Sequence, residues 1–559
     1  MSAIRFFTSF PSFIYYILFL LIIGIFAFSK TFHLALLGDE WYVMWVVKNS
    51  VVTNGQWDLH INQTIPGYRI GALLMYLLTE YFGYDGKGVY IFSFITRFVA
   101  TLTLFYFLRK RACSNKAAFL GALFFLVTPI GLQATDWAKN FTSYISISFF
   151  LPCINSIYSL RSWKNVFIFL LTFSISIYIN PIRAPGIILT TSFLLIFQYL
   201  FNKSVEGRII ISSLLCSLII GFMLLKMLVS ESAIGQQIIL TLMQFPHSAE
   251  KFFASIGAAI LPQPSFHYLG LLIVTLLLWK RYLLSKKYLL FTIGLHTITV
   301  PILFESFFHI PNDKMFTILG IYFTLFMTSI FIIELFNKKI SEALNTVIPL
   351  LLTVFFLITP LIVGTLVVDP THRYMIYSAL SLPMIIAFSL NQNALEDSGK
   401  KLFPFFKQNS INFYIVLFFL LMNYLSLNSE INKMYINHNQ NTANIIWQQI
   451  TPYFNNYDFK NHRPHLFIDT NNGAVVHDTV TFGLGFHMGY IYKIWSYDAN
   501  DMWKLPLAVD SFADFNSMLT DGKATKKYFG DNTKDFVFPK EDAFYFKIDG
   551  LKVSRIVDY

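Results

Sequence analysis

The stretch Leu37-Gly38-Asp39-Glu40-Trp41-Tyr42 sets two adjacent carboxylates directly after the first long apolar run, Phe13 to Phe28. Ionised acids at the mouth of a membrane bundle cost on the order of a few kcal/mol, which makes them functional candidates by default. A carboxylate so placed can take a proton from a hydroxyl. Other polar residues recur at the ends of later apolar runs. Asp136 and Lys139 lie in Ala134-Thr135-Asp136-Trp137-Ala138-Lys139-Asn140, Arg183 in Asn180-Pro181-Ile182-Arg183, and Asp369, His372 and Arg373 stand ahead of a further run. Gathered on one membrane face, such a set suits transfer of a group away from a lipid-linked phosphate. A carboxylate accepts the proton of the attacking hydroxyl while cations hold the phosphate as it leaves.

Plainer readings stand beside each of these. Glu40 could solvate or cap a following surface helix, and Asp136 with Lys139, spaced i,i+3, could be an exposed pair at a helix start rather than an acceptor or metal site. Arg97, inside the second run as Thr96-Arg97-Phe98, could snorkel or pair with a carboxylate for bundle stability. Arg183 and Arg373 could anchor the interface, although outer-side arginines oppose the bias that gathers Lys and Arg inside. His372 and the tail residues His462, His465, His477 and His487 are read as bystanders, their spacing fitting no tight metal motif. Glu305 and His309 are weaker candidates still.

The elements that would position these groups follow from composition. At 559 residues, 55% hydrophobic, 13% charged and mean hydropathy +0.55, the chain is too apolar for a soluble enzyme and carries many runs long enough to cross a bilayer. The net charge of +11 does not point to nucleic acid, because Lys and Arg cluster in short loops between apolar runs, a topogenic pattern. Cys113, Cys153 and Cys216 show no metal spacing and no outer location, so no disulfide is expected. The first run exceeds signal-peptide length without a small-residue cleavage site and is expected to stay as a helix.

With the N-terminus inside, every second loop is basic: Arg109-Lys110-Arg111 with Lys116, Arg161 with Lys164, Lys203 with Arg208, Lys280-Arg281 with Lys286-Lys287, Lys338-Lys339, and Lys400-Lys401 with Lys407. After the first run, helices are expected over 89 to 108, 117 to 134, 141 to 160, 165 to 180, 187 to 201, 209 to 228, 267 to 280, 288 to 304, 315 to 336, 345 to 366, 374 to 390 and 411 to 427. That makes about thirteen transmembrane spans, an odd number that ends outside. An outer loop, 30–88, holds two amphipathic stretches, Trp41 to Val52 and Tyr68 to Phe82, expected to lie on the membrane. Counting the second as a span would reverse every later loop. A second outer loop covers about 229 to 266, punctuated by Pro246, Pro262 and Pro264. The fold class expected is thus a polytopic α-helical membrane domain over 1–427, followed by an extracytoplasmic α/β domain over 428–559. Strand-like runs in that tail are His465 to Asp469, Phe544 to Ile548 and Lys552 to Val557.

The order of first helix, Asp-Glu, surface helices, Arg-bearing span, basic inner loop and Asp after the third helix resembles the GT-C class of membrane glycosyltransferases. It is most similar to protein O-mannosyltransferases, lipid A aminoarabinose transferases and bacterial O-antigen glycosyltransferases. The likeness covers the first 190 or so residues by motif, and the remainder by helix number and a terminal outer domain. It implies a catalytic role for Asp39, with Glu40 as its neighbour, and makes Asp136 the second acid and Arg97 the span arginine. The Lys/His-Pro-Pro-Leu motif of relatives is replaced by Ile65-Pro66-Gly67-Tyr68-Arg69, which leaves Arg69 as its phosphate-holding counterpart. Arg97, Lys139, Arg183 and Arg373 complete the expected phosphate set.

The expectation is an inverting transfer of a sugar from a polyprenyl-phosphate donor to a hydroxyl of a glycan or lipopolysaccharide such as O-antigen, at the outer face of a bacterial inner membrane. The N-terminus would be cytoplasmic and the C-terminus periplasmic. Membrane lipid is the surrounding partner, no cofactor is assigned, and a divalent metal stays an open alternative. The rivals are a glycan polymerase or ligase using the same carrier, and a lipid-linked glycan flippase or transporter. The latter would place charges at mid-membrane and repeat its halves, and neither feature is present in the sequence.

Overall fold

The computed structural model describes residues 12–36, 40, 47, 68–83, 86–111, 113–137, 140–201, 207–228, 245–260, 312–337, 340–362, 366–391, 408–439, 442–454, 457–458, 462, 464–469, 507–509, 511–527, 533–549 and 552–555. These residues are mostly helical, with a small sheet near the C-terminus. They fall into two units interleaved along the sequence. One comprises residues 1–29, 65–68 and 92–431, the other 30–64, 69–91 and 432–559.

In chain order the helices are α1 Ser12–Ala27, α2 Tyr68–Phe82, α3 Lys87–Lys110, α4 Asn115–Val127, α5 Gln133–Asp136, α6 Thr142–Ile157, α7 Trp163–Ile179, α8 Ala184–Phe201, α9 Gly207–Leu228, α10 Phe245–Ala258, α11 Asn312–Phe336, α12 Ile340–Ile362, α13 Ser381–Asn391 and α14 Gln408–Asn439. Among the described residues, 4 helical stretches are long and apolar enough to cross a membrane: Lys87–Lys110, Pro181–Phe201, Gly207–Leu224 and Lys314–Phe336. Shorter apolar helices surround them in sequence, so the architecture is compatible with a membrane protein. The spans expected over 267 to 280 and 288 to 304, with Glu305 and His309, lie outside the described residues. So does the stretch 41 to 52, apart from Val47.

In the first unit α6 packs on α7, α8 on α9 and α12, α11 on α10 and α12, and α13 on α4. The crossing of α10 and α11 is made backbone to backbone. A Cβ at Gly257 would lie 2.0 Å from the Phe316 carbonyl oxygen, and one at Gly320 would lie 1.8 Å from that of Phe253. Small residues at such a crossing are how helices associate in lipid, where apolar burial supplies little drive.

Three expected helices have other bounds, each for a local reason. The run over 117 to 134 stops at Val127, because Thr128 precedes Pro129 and takes an extended conformation (φ −75, ψ 137), as a residue before proline tends to. Its other end starts where Ser114 accepts a hydrogen bond from the Ala117 amide at 3.2 Å, an N-cap. The helix expected from 374 opens at Ser381, after short 3₁₀ turns at Arg373–Met375 and Ser378–Leu380. Pro383 has no N–H to give the carbonyl four residues back, which removes a bond that would carry the α ladder back through that turn. The helix expected over 411 to 427 instead covers Gln408–Asn439, 32 residues, because no Gly or Pro interrupts it when its composition turns polar.

The second unit carries α2, the described sheet and two further helices, α15 Thr442–Ile450 and α16 Phe512–Asp521. Strands β1 His465–Asp469, β2 Leu507–Val509, β5 Ala543–Asp549 and β6 Lys552–Arg555 form a sheet of order β2-β1-β5-β6; β1 runs parallel to β2 and β5, and β6 antiparallel to β5. The three strand-like runs of the sequence are these β1, β5 and β6. A separate antiparallel pair joins β3 Lys523–Lys527 to β4 Thr533–Val537. Phe515 and Leu519 of α16 pack on Phe467 and Tyr545 of the sheet and on Phe538. Burial of such aromatic side chains supplies the core of the small unit.

Candidate functional site: an arginine clamp and an anion cleft

Within the first unit, the segment after α4 and the segment before α13 are bound together by backbone. The Gly131 amide donates to the Pro370 carbonyl at 2.8 Å and the Gln133 amide to that of Thr371 at 2.9 Å. Gly131 has φ +71, and a Cβ there would meet the Ile376 Cα at 2.7 Å, so both its conformation and its space demand glycine. Asp369 closes the turn on the other side, its Oδ1 accepting from the Thr371 amide and hydroxyl, each at 2.9 Å. Such Asx turns are the usual work of Asp ahead of Pro.

Arg97 holds the first of these segments. Its side chain is wholly buried. Nη1 donates to Thr135 Oγ1 and to the Tyr144 hydroxyl, each at 3.0 Å, while Nη2 donates to the Phe125 and Thr128 carbonyls at 3.2 and 2.7 Å. The guanidinium also lies 4.7 Å from the centre of the Phe28 ring. One turn earlier on α3, Ser93 donates to the Thr135 carbonyl at 2.8 Å. Thr135 and Tyr144 share a hydrogen bond at 2.7 Å, so α3, α5 and α6 meet at one polar knot, next to the buried Asp136. Arg97 therefore spends its Nη donors on protein and positions the segment that bears Asp136.

A cleft opens nearby, lined by Asn140, Thr142, Ser143, Asn180, Ile182, Arg183, Arg373 and Tyr374, with about 250 Å³ of space including open solvent. None of these lining residues is acidic. Thr142 and Ser143 are the first residues of the 16-residue α6, whose N-terminal end favours negative charge. Asn180 breaks the apolar run ahead of the 3₁₀ turn Pro181–Arg183, and its amide donates to Ser143 Oγ at 2.9 Å. Arg183, buried, donates from Nη2 to the Arg373 carbonyl at 2.9 Å and lies 4.6 Å from the Tyr374 ring centre. Arg373 is stacked between Trp137 at 4.7 Å and Tyr374 at 5.5 Å.

This stacking holds the Arg373 guanidinium by ring faces, which leaves its hydrogen-bonding capacity unspent. Among the described residues, Arg373 Nε and Nη1 and Asn140 Nδ2 are buried atoms without hydrogen-bond partners. Buried donors of this kind call for an acceptor. Two like charges beside one ring call for an anion. His372 adds no third charge: burial first, then the Arg373 charge, push it down to about 4. As a neutral ring its Nδ1 accepts from the Tyr374 amide at 3.3 Å, capping the turn that carries Arg373.

Of the residues singled out in the sequence, Arg183 and Arg373 come together in this cleft, and Arg97 binds Thr135, the residue before Asp136, in the adjoining knot. Glu40 is buried in the second unit, where Tyr90 donates to its carboxylate. Asp39, Lys139 and the side chain of Arg69 lie outside the described residues. Sequence reasoning passed over Asn140, Thr142, Ser143, Asn180 and Tyr374 as site residues. The available signal was a polar Asn at each end of two apolar runs, one of them ahead of a proline. Among the described residues no three His, Cys, Asp or Glu side chains converge to hold a metal ion.

No protein-family model matches the chain, and no curated protein matches it.

Proposed function

We propose that the chain is a polytopic membrane glycosyltransferase of about thirteen spans, with its tail on the periplasmic side of a bacterial inner membrane. It moves a sugar from a polyprenyl-phosphate donor to a hydroxyl of a glycan or lipopolysaccharide. The observation that carries this reading is the cleft, free of acids among its described lining residues, in which Arg373 Nε and Nη1 and Asn140 Nδ2 are buried without partners among the described residues.

In the reaction the acceptor oxygen attacks the anomeric carbon, the bond from that carbon to the phosphate oxygen breaks, and its electron pair leaves with the phosphate. One displacement inverts the anomeric centre. The acceptor proton passes to a carboxylate, assigned to Asp39 on the resemblance given above. The donor phosphate is a diester bearing one negative charge, and the departing polyprenyl phosphate is a monoester that gains a second. A cleft of fixed cations and amide donors favours the second state over the first, and that difference lowers the barrier. Arg97 takes no part in holding phosphate in this scheme.

Binding of radiolabelled polyprenyl phosphate to the purified protein tests the reading. Loss of a charge-assisted contact is worth roughly 1.5 to 3 kcal/mol, so Arg373→Ala should weaken binding by about ten- to a hundredfold. Unchanged affinity in both Arg373→Ala and Arg183→Ala would return these residues to the role of interface anchors. Transfer assays with monosaccharide and oligosaccharide carriers then separate a transferase from a polymerase or ligase.

A further inference from the structure

Ser146 in α6, Ser176 in α7 and Tyr377, which follows Arg373 by one turn, are fully buried and share one set of hydrogen bonds. Tyr377 donates to Ser146 Oγ. Ser146 donates in turn to the Ser176 carbonyl at 2.7 Å, and Ser176 returns a bond to the Ser146 carbonyl at 3.1 Å, with the two Oγ atoms 2.9 Å apart. Each hydroxyl has one proton to give, so every proton of the set is spent within it. The Tyr377 ring also lies face to face on Phe356 of α12, the centres 4.2 Å apart. The elements joined in this way are the ones that line the cleft. Ser146 lies one turn along α6 from Ser143, Ser176 one turn ahead of Asn180, and Tyr377 just past the 3₁₀ turn that carries Arg373 and Tyr374. At the cleft itself the same two helices are joined again by the Asn180 to Ser143 bond at 2.9 Å.

Stability is a weak reason for these hydroxyls. Hydrogen bonds between helices in lipid average about 0.6 kcal/mol, because separated helices find other partners. Register is a stronger reason, being the best-attested use of buried polar contacts. A slip of one residue moves a helical side chain about 1.5 Å along the axis and turns it by about 100°, so register decides whether Ser143, Asn180 and Arg373 face one cleft. We infer that Ser146, Ser176 and Tyr377 are positioning residues for the anion cleft, setting the register of α6, α7 and the turn that bears Arg373. The inference rests on the reading of the cleft as a phosphate site.

The test uses the full chain in nanodiscs, with Tyr377→Phe, which keeps the ring on Phe356, Ser176→Ala, and the conservative Ser176→Thr, which keeps the hydroxyl. First, Arg373→Cys is combined with each, in a chain whose exposed Cys216 is removed by Cys216→Ser, and labelled by a charged maleimide. Labelling should quicken by about fivefold or more with Tyr377→Phe and Ser176→Ala, and stay near the parent rate with Ser176→Thr. Second, with Arg373 intact, the first two should weaken binding of radiolabelled polyprenyl phosphate by about fivefold or more, and Ser176→Thr should bind as the parent does. Because Tyr377 acts through Arg373, Tyr377→Phe should weaken binding no further in an Arg373→Ala chain, a coupling that general loss of stability would not produce. Unchanged labelling in both variants, faster labelling with unchanged binding, or a Tyr377→Phe loss that repeats in full on Arg373→Ala overturns the inference. If the parent binds no polyprenyl phosphate while labelling still quickens, the proposed function falls and the register role of the three hydroxyls stands.

Discussion

Arg97 Nη1 donates to Thr135 Oγ1 at 3.0 Å, one residue before Asp136. A fully buried guanidinium with this many protein acceptors organises the chain around it, and its removal takes the donor from the Phe125 and Thr128 carbonyls. Arg97→Leu should therefore destabilise the protein by roughly 2 to 5 kcal/mol, read as a lower unfolding temperature in detergent. Donor affinity per folded molecule should hold. A variant with parental thermal stability and weakened donor binding would put Arg97 back among the phosphate ligands.

Gly131→Ala sets a methyl group against the Ile376 backbone at a φ of +71. Strain of this kind costs of order 1 to 3 kcal/mol where the surroundings cannot yield. Because the same residue bonds to Pro370, the cost should appear at the cleft as weaker phosphate binding as well as in the unfolding temperature. Parental values for both would mean that the two segments part easily.

His372 prefers to be neutral in the folded protein, its value pushed from 6.5 to about 4 by burial and by Arg373. Below 6.5 the unfolded chain binds a proton that the folded one refuses, so stability is complete above that pH and is lost as pH falls toward about 4. His372→Asn keeps a side-chain acceptor for the Tyr374 amide but does not titrate. Its unfolding temperature should vary less across this window than that of the parent; an identical slope would assign the acid sensitivity to other groups.

Asp39→Asn keeps size and hydrogen bonding but cannot take a proton. At equal membrane abundance it should cost about two to four orders of magnitude in turnover, with Glu40→Gln costing less. Near-normal transfer by Asp39→Asn beside an inactive Asp136→Asn would move the base to Asp136.

Much of the helical framework was legible because lipid-length apolar runs are a composition signal, and β1, β5 and β6 because turn residues bracket short apolar runs. What escaped was set by single residues or by distant partners. Hydropathy does not register that Pro129 ends a helix at Thr128, or that a polar sequence without Gly or Pro continues α14 to Asn439. The cleft was half legible: its arginines stand out at the ends of apolar runs, whereas Asn140, Thr142 and Ser143 look like any helix start. Arg183 and Arg373 are 190 positions apart, and nothing local states that one side chain supports the backbone of the other.

The backbone crossing of α10 and α11 bears on how the protein is made. At 14 residues, α10 is about 21 Å long, less than the ~30 Å hydrocarbon layer, and leaving residue 258 ahead of residue 312 it is synthesised before its partner. Until α11 has been translated, the face of α10 around Gly257 has no groove to enter. The Gly257–Gly320 crossing therefore forms only once α11 has been translated, which makes it a late step in the order of assembly.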